Sequence, residues 1–120
     1  MATSGRQESS LSSYVYYSCI RGYHVYKDIW EVNIGDMASC EIDEGNRHDT
    51  FAVKIVKNGL TVGHVPMYKS KIFNFFLRRG GKIEATVTGE RENKGVGLQL
   101  PCGYKFIGAK KDVYKLKKLL

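Results

Sequence analysis

The sequence contains no catalytic signature, no membrane-length apolar run and no closely spaced cysteine pair. G-x-S-x-G, G-x-x-x-x-G-K-[ST], H-E-x-x-H and G-x-G-x-x-G are all missing, so an enzyme is not expected. Gly95-Val96-Gly97 is a lone G-x-G in an expected turn and carries no weight. No run approaches the ~18 apolar residues of a membrane span, so no membrane partner is expected. The three cysteines, Cys19, Cys40 and Cys102, are odd in number, widely spaced and without a C-x-x-C pair. That excludes a disulfide framework and a structural zinc site, and fits buried thiols in a reducing compartment, the nucleus or the cytosol. The three histidines, His24, His48 and His64, would need three separate segments to converge before they could hold a metal. No metal, cofactor or small-molecule ligand is expected. Residues 1–13 are polar and serine-rich, without the apolar core of a signal peptide. They read as a disordered leader, with a phosphorylated regulatory tail as the rival.

Acidic residues are also short. There are 12 against 19 Lys and Arg, a net charge of +7 over 120 residues. The excess is uneven. Residues 67–82 hold Lys69, Lys71, Arg78, Arg79 and Lys82 with no acid. Residues 103–120 hold six lysines against Asp112 alone. Two basic segments on one small domain are the footprint of a polyanion binder; simple solubility is the competing explanation. The 42% apolar content is that of one globular domain with one core.

The periodicities predict a mainly β (β-rich α+β) domain. Residues 14–26 read as a buried strand interrupted by Gly22. Residues 27–35 read as a connection whose Trp30 either plugs the core or offers a stacking platform. Residues 37–43 alternate, with Ala38, Cys40 and Ile42 inward. Residues 51–56 and 60–65 form a hairpin around Asn58-Gly59, a pair that tolerates the positive φ of a tight turn. Pro66 then opens an amphipathic helix over 67–78, with Tyr68, Ile72, Phe75 and Phe76 as its core stripe and Gly80-Gly81 as its stop. Strands over 82–91, around Val96, Leu98 and Leu100, and over 104–107 follow, the last two separated by Pro101. Residues 109–120 are basic, with Val113, Leu116 and Leu120 on one side of a short helix that must dock or fray. The order implies a small OB-like or SH3-like barrel of about six or seven strands, over residues 14–108, with one inserted helix.

Polar residues gather in two places, Asn46-Arg47-His48-Asp49 and His64. The Asn58-Gly59 turn makes the two hairpin strands antiparallel. The start of one therefore lies beside the end of the other, which brings Asp49 and His64 to one end of the barrel. One carboxylate, two imidazoles and an arginine there suit a phosphate-and-hydroxyl site. The plainer reading is that Asn46 and Asp49 only hydrogen-bond their own turn.

At these residues the sequence resembles the HIRAN domain family. The match is Gly22, then Asn46-x-x-Asp49-x-x-Ala52-Val53, then Val62-Gly63-His64-Val65, then the helix. The resemblance spans roughly residues 15–108 and implies a modified OB-like barrel that captures the 3′ end of single-stranded DNA. By the resemblance, Asp49 bonds the terminal hydroxyl, His64 helps hold phosphate, and His48 takes the place of a stacking aromatic. His24 and Val25 stand where the family's DNA binders carry a basic residue and a tyrosine; Tyr26 follows. Met67 stands where they carry a lysine, with Lys69 and Lys71 nearby. The helicase and RING regions that accompany the domain in remodelling members have no counterpart in these 120 residues, so remodelling by this chain alone is not expected.

Two functions remain in competition. One is a non-catalytic nucleic-acid module, for single-stranded DNA and its 3′ ends, using Asp49, His64, His48, Arg47, Tyr26, His24, Lys69 and Lys71. The other is a protein-interaction module anchored by Trp30 and the Val113/Leu116/Leu120 face.

Overall fold

A computed structural model describes residues 11–23, 30–93 and 98–120. Its strands are β1 (Leu11–Arg21), β2 (Met37–Ile42), β3 (Val53–Lys57), β4 (Leu60–His64), β5 (Lys82–Val87), β6 (Glu92–Asn93) and β7 (Leu98–Ala109). Helix α1 (Met67–Arg78) joins β4 to β5, and α2 (Lys110–Leu119) follows β7. All pairings are antiparallel, in the order β1–β4–β3–β2–β5–β7–β6. β1 also pairs with β7 along its whole length, from Leu11↔Ala109 to Arg21↔Gln99. Six strands therefore close a barrel, its β1–β4 seam resting on the single pair Arg21↔His64. The two-residue β6 is a flap on β7. The mainly β barrel with one inserted helix is thus the observed architecture.

Alternation decides which side chains fill it. Ala38 and Cys40 of β2 and Ile83, Ala85 and Val87 of β5 point inward, while Met37, Ser39, Glu41 and Lys82 face solvent. Val53, Ile55, Val62, Leu100, Tyr104 and Phe106 complete the interior. Burying each aliphatic side chain contributes about 2 kcal/mol. Helix α1 closes the barrel with aromatic edges: Phe73 meets Tyr104 and Phe106 at 4.8 Å, and Phe76 meets Phe106 at 5.3 Å.

The hairpin turn is as read: Asn58 has φ 53° and Gly59 φ 79°. β3 and β4 pair through a bulge that puts Lys54 opposite His64 and Ile55 opposite Gly63. Gly63 is where β1 crosses closely. A Cβ there would lie 2.5 Å from Ile20 Cγ2 and 3.0 Å from the Arg21 carbonyl oxygen. Only a residue without a side chain lets β1 reach β4, and their pairing is Arg21↔His64.

Several local expectations are corrected. β1 starts at Leu11, inside the expected leader, because Leu11, Ser12 and Ser13 pair with Ala109, Gly108 and Ile107. It alternates rather than being buried throughout, with Val15 and Tyr17 exposed. It ends at Arg21, before Gly22 at φ 75°, so that glycine serves a turn and not a bulge within the strand. Pro101 does not split β7. In an antiparallel strand the N and O of one residue face the same neighbour. The Pro101 carbonyl accepts from Thr88 N–H just beyond the last β5 pair, Val87↔Cys102. The missing N–H therefore falls where the ladder has already ended.

The buried face of α1 is also rotated from expectation. Ser70, Phe73, Asn74 and Phe76 are buried, while Tyr68 is 73% and Phe75 62% exposed. Trp30 is a core plug, 5% exposed. Its indole N–H donates to Asp36, its carbonyl accepts from the Tyr23 hydroxyl, and its ring meets Tyr23 edge-on. Helix α2 docks by burying Val113 and Leu116, with Leu120 partly buried against the same core. Trp30, Val113, Leu116 and Leu120 are therefore committed to the fold and do not form an exposed protein-binding anchor.

Candidate functional site

Loop 43–52, between β2 and β3, is closed at its base by backbone bonds, Asp43 N–H to the Ala52 carbonyl and Ala52 N–H to the Asp49 carbonyl, and is shaped beyond them by side chains. Asn46 organises it. Its Oδ1 accepts the N–H groups of His48 (2.9 Å) and Asp49 (3.1 Å), and its Nδ2 donates to Asp43 Oδ2 (2.9 Å). Asp49 Oδ1 accepts the Phe51 N–H at 2.9 Å. These are the self-bonded turns that Asn and Asp favour, so the plainer reading of this loop is part of the answer. It is not the whole answer.

The loop is tied to α1 by polar groups that sequence reading passed over. Ser70 Oγ lies 2.6 Å from Asp49 Oδ2 and 2.9 Å from the Met67 carbonyl oxygen. A hydroxyl has one proton, and the shorter, charge-assisted contact takes it. Asn74, one turn on, donates to the Phe51 carbonyl at 3.3 Å and accepts from Arg78 Nε at 2.9 Å. Burial of these two polar residues explains the rotated helix face. Their spacing, i and i+4 on either side of Phe73, was the available signal.

His64 is the loop's other tether. Its Nε2 lies 2.9 Å from Asp43 Oδ2. Partial burial pushes the Asp43 carboxyl up. Hydrogen bonds from Asn46 and His64, with the charges of His64 and Lys54, outweigh that and hold it below the ordinary carboxylate range. An ionised carboxylate only accepts, so Nε2 is the donor and Nδ1 is left for other contacts. The imidazole's partner is therefore Asp43, not Asp49. The two expected site residues meet through Asn46: Asp49 N–H to Asn46, Asn46 to Asp43, Asp43 to His64.

Cations surround this network. Arg21, His64 and Lys54 are successive cross-strand partners on β1, β4 and β3. Residues directly opposite share a face, so the three form one row. Lys69 places its ammonium 5.5 Å from the Tyr16 ring centroid, and Lys71 does the same over Phe51 at 5.4 Å. Arg47 and His48 are exposed. No side chain hydrogen-bonds the backbone at the start of α1 and the first turn itself carries no acidic residue, while the Asp49 carboxylate approaches that turn through Ser70. His24, Val25 and Tyr26 lie outside the described residues, as do Val96 and the G-x-G at 95–97.

A family model for the HIRAN domain matches this chain over residues 6–111, the span that holds the barrel, the loop and both helix-borne partners. The chain belongs to the HIRAN family. No curated protein matches it significantly. Solved structures with this fold include the HIRAN domain of human HLTF, with TM-score 0.73, 19% identity, and 91% of this chain and 88% of that one covered. The NMR structure of the HLTF HIRAN domain in its DNA-bound conformation gives TM-score 0.67 and 17% identity, covering 94% and 91%. A protein from Lactobacillus plantarum gives 0.64 and 14%, covering 81% and 97%.

In this HIRAN domain Asp43, Ser70, Asn74, Arg21, Lys54, Tyr16 and Phe51 join the site beyond those expected. Arg78 of the basic stretch is instead paired with Glu44 at 3.0 Å, and Arg79 with Asp112 at 2.7 Å. Burial pushes the Cys40 thiol well up and Cys102 to about 12, so neither is a thiolate nucleophile at neutral pH. Among the described residues no three His, Cys, Asp or Glu side chains cluster to hold a metal, and no helix is long and apolar enough to cross a membrane.

Proposed function

We propose that this HIRAN domain is a non-catalytic nucleic-acid-binding module whose preferred ligand is single-stranded DNA with a free 3′-hydroxyl end. The observation that carries the reading is the state of Asp49. Its two oxygens are anchored by Phe51 N–H and Ser70 O–H, yet the side chain is only half-buried. An ionised carboxylate has about four acceptor positions. Two are used in holding it still, and the others can accept from a terminal hydroxyl. A 3′-phosphate in the same place would set negative charge against negative charge.

The surroundings supply the rest. The Arg21–His64–Lys54 row, Arg47, Lys69 and the uncapped start of α1 offer charge and N–H donors to the last phosphates. His48 and Phe51, 41% exposed, offer faces for bases, each stack contributing about 1–3 kcal/mol. His24 takes the place of the family's basic residue, and Tyr26, one residue past the position where the family carries its tyrosine, supplies a further stacking face. The basic helix α2 adds general attraction that weakens with salt. That the HLTF HIRAN domain has a DNA-bound conformation supports the ligand class. Such a ligand fits a protein of the nucleus or the cytosol, compartments in which cysteines stay reduced.

The test is a titration of labelled single strands ending in 3′-OH or 3′-phosphate and of a circular strand, at low and moderate salt. Hydroxyl-dependent affinity that is lost in Asp49→Ala supports end capture. Asp49→Asn retains an acceptor for Phe51 and is the folding control. Equal affinity for all three strands, abolished by salt, reduces the site to a basic surface. No binding at low salt rejects the nucleic-acid reading.

A further inference from the structure

The nucleic-acid reading leaves one feature of the two helices unused. α1 and α2 enclose a groove of about 280 Å³ on the outside of the barrel. Ile72, Phe76 and Leu116 line it, and the last two are buried. Phe75 and Leu119 flank it with 62% and 56% of their surfaces in water. A monomer gains nothing by leaving two large apolar side chains in water beside an apolar groove; such places are binding sites. The rim is basic. Lys71, Arg79 and Lys115 border it, and its carboxylate, Asp112, is committed to Arg79 at 2.7 Å. That ion pair links the two helices, so the groove is already formed without a partner.

We propose that this groove docks an acidic amphipathic helix of a partner protein. Two or three apolar residues at i, i+3 and i+4 would enter between Phe75 and Leu119, and flanking carboxylates would meet Lys71 and Lys115. Charge complementarity selects this occupant. A second copy of the chain, at +7, would bring like charge to a positive rim. Nucleic acid would find no hydrogen-bonding group between the rims, where the lining is Ile72, Phe75, Phe76, Leu116 and Leu119.

The probe is a labelled helix-forming peptide with Leu and Phe on one face and Glu on the other. Its controls are a scrambled peptide of the same composition and a version with Lys in place of Glu. Affinity is read by anisotropy and location by the NMR signals of Phe75 and Leu119. The acidic amphipathic peptide should bind at least about tenfold more tightly than either control. It should weaken about tenfold in Leu119→Ser and in Lys115→Glu. Both substituted positions are exposed, so thermal unfolding should be unchanged, and oligonucleotide affinity should be retained in Leu119→Ser. Equal binding of the scrambled peptide or no binding overturns the proposal. So does self-association of the wild type that Leu119→Ser abolishes.

Discussion

Ser70 donates its hydroxyl to Oδ2 of Asp49 across 2.6 Å, tying the first turns of α1 to the loop that carries the expected hydroxyl-binding carboxylate. Ser70 is 2% exposed and Asp49 half-buried, so the bond is shielded at one end only. Ser70→Ala should destabilise the fold by about 1–2 kcal/mol and weaken discrimination between 3′-OH and 3′-phosphate strands. In Asp49→Ala the hydroxyl turns to the Met67 carbonyl, 2.9 Å away. The two substitutions should therefore be non-additive by about 1 kcal/mol in urea unfolding. An additive cycle would show that the bond does not position the loop.

Asp43 predicts the acid limb of stability. Its carboxyl is held below the ordinary range in the folded chain, so the unfolded chain binds its proton at higher pH. Its contribution is complete above the unfolded value, about pH 4, and is lost as pH falls through the folded value. The stability difference between wild type and Asp43→Asn should shrink as pH falls below about 4. A difference that grows on acidification would contradict the Asn46–Asp43–His64 network.

The lysines at the start of α1 should act through charge. Lys69→Ala and Lys71→Ala should each weaken binding of every single strand alike. Each should also reduce the slope of log affinity against log salt by about 0.7, the increment for one phosphate contact on single strands. An unchanged slope would remove that lysine from the interface.

Gly63→Ala tests the crossing of β1 over β4. The added methyl would meet Ile20 Cγ2 at 2.5 Å and the Arg21 carbonyl oxygen at 3.0 Å. Backbone cannot give way as a flexible side chain can, so about 1–3 kcal/mol should be lost. Because Arg21 pairs with His64 through this crossing, NMR signals of His64 should move with the loss in melting temperature. A neutral substitution would mean the crossing is looser than described.

Much of the fold was legible in local pattern. The Asn58-Gly59 hairpin, the alternation of β2 and β5 and the helix after Pro66 each follow from residues close in sequence, whereas the docking of the C-terminal helix was decided only by its packing on the barrel. Pro101 misled because a missing N–H matters only where a neighbouring strand needs it, and β5 ends one residue earlier. The helix face misled because hydrophobicity ranks Tyr68 and Phe75 above Ser70 and Asn74. The latter two are buried by partners 21 and 23 residues away. The same holds for His64: antiparallel geometry brought it to the right loop, and only the three-dimensional arrangement chose Asp43 over Asp49.

The sequence by itself determined the order of strands and helix as far as β5, the basic charge and the candidate residues, because these depend on period, turn chemistry and composition. Tertiary structure alone decided the closure of the barrel by β1 on β7, the pairing of each carboxylate, and which aromatics face water. Those choices rest on contacts between residues distant along the chain, where a hydrogen bond to a carboxylate can outweigh the hydrophobic preference of a helix face.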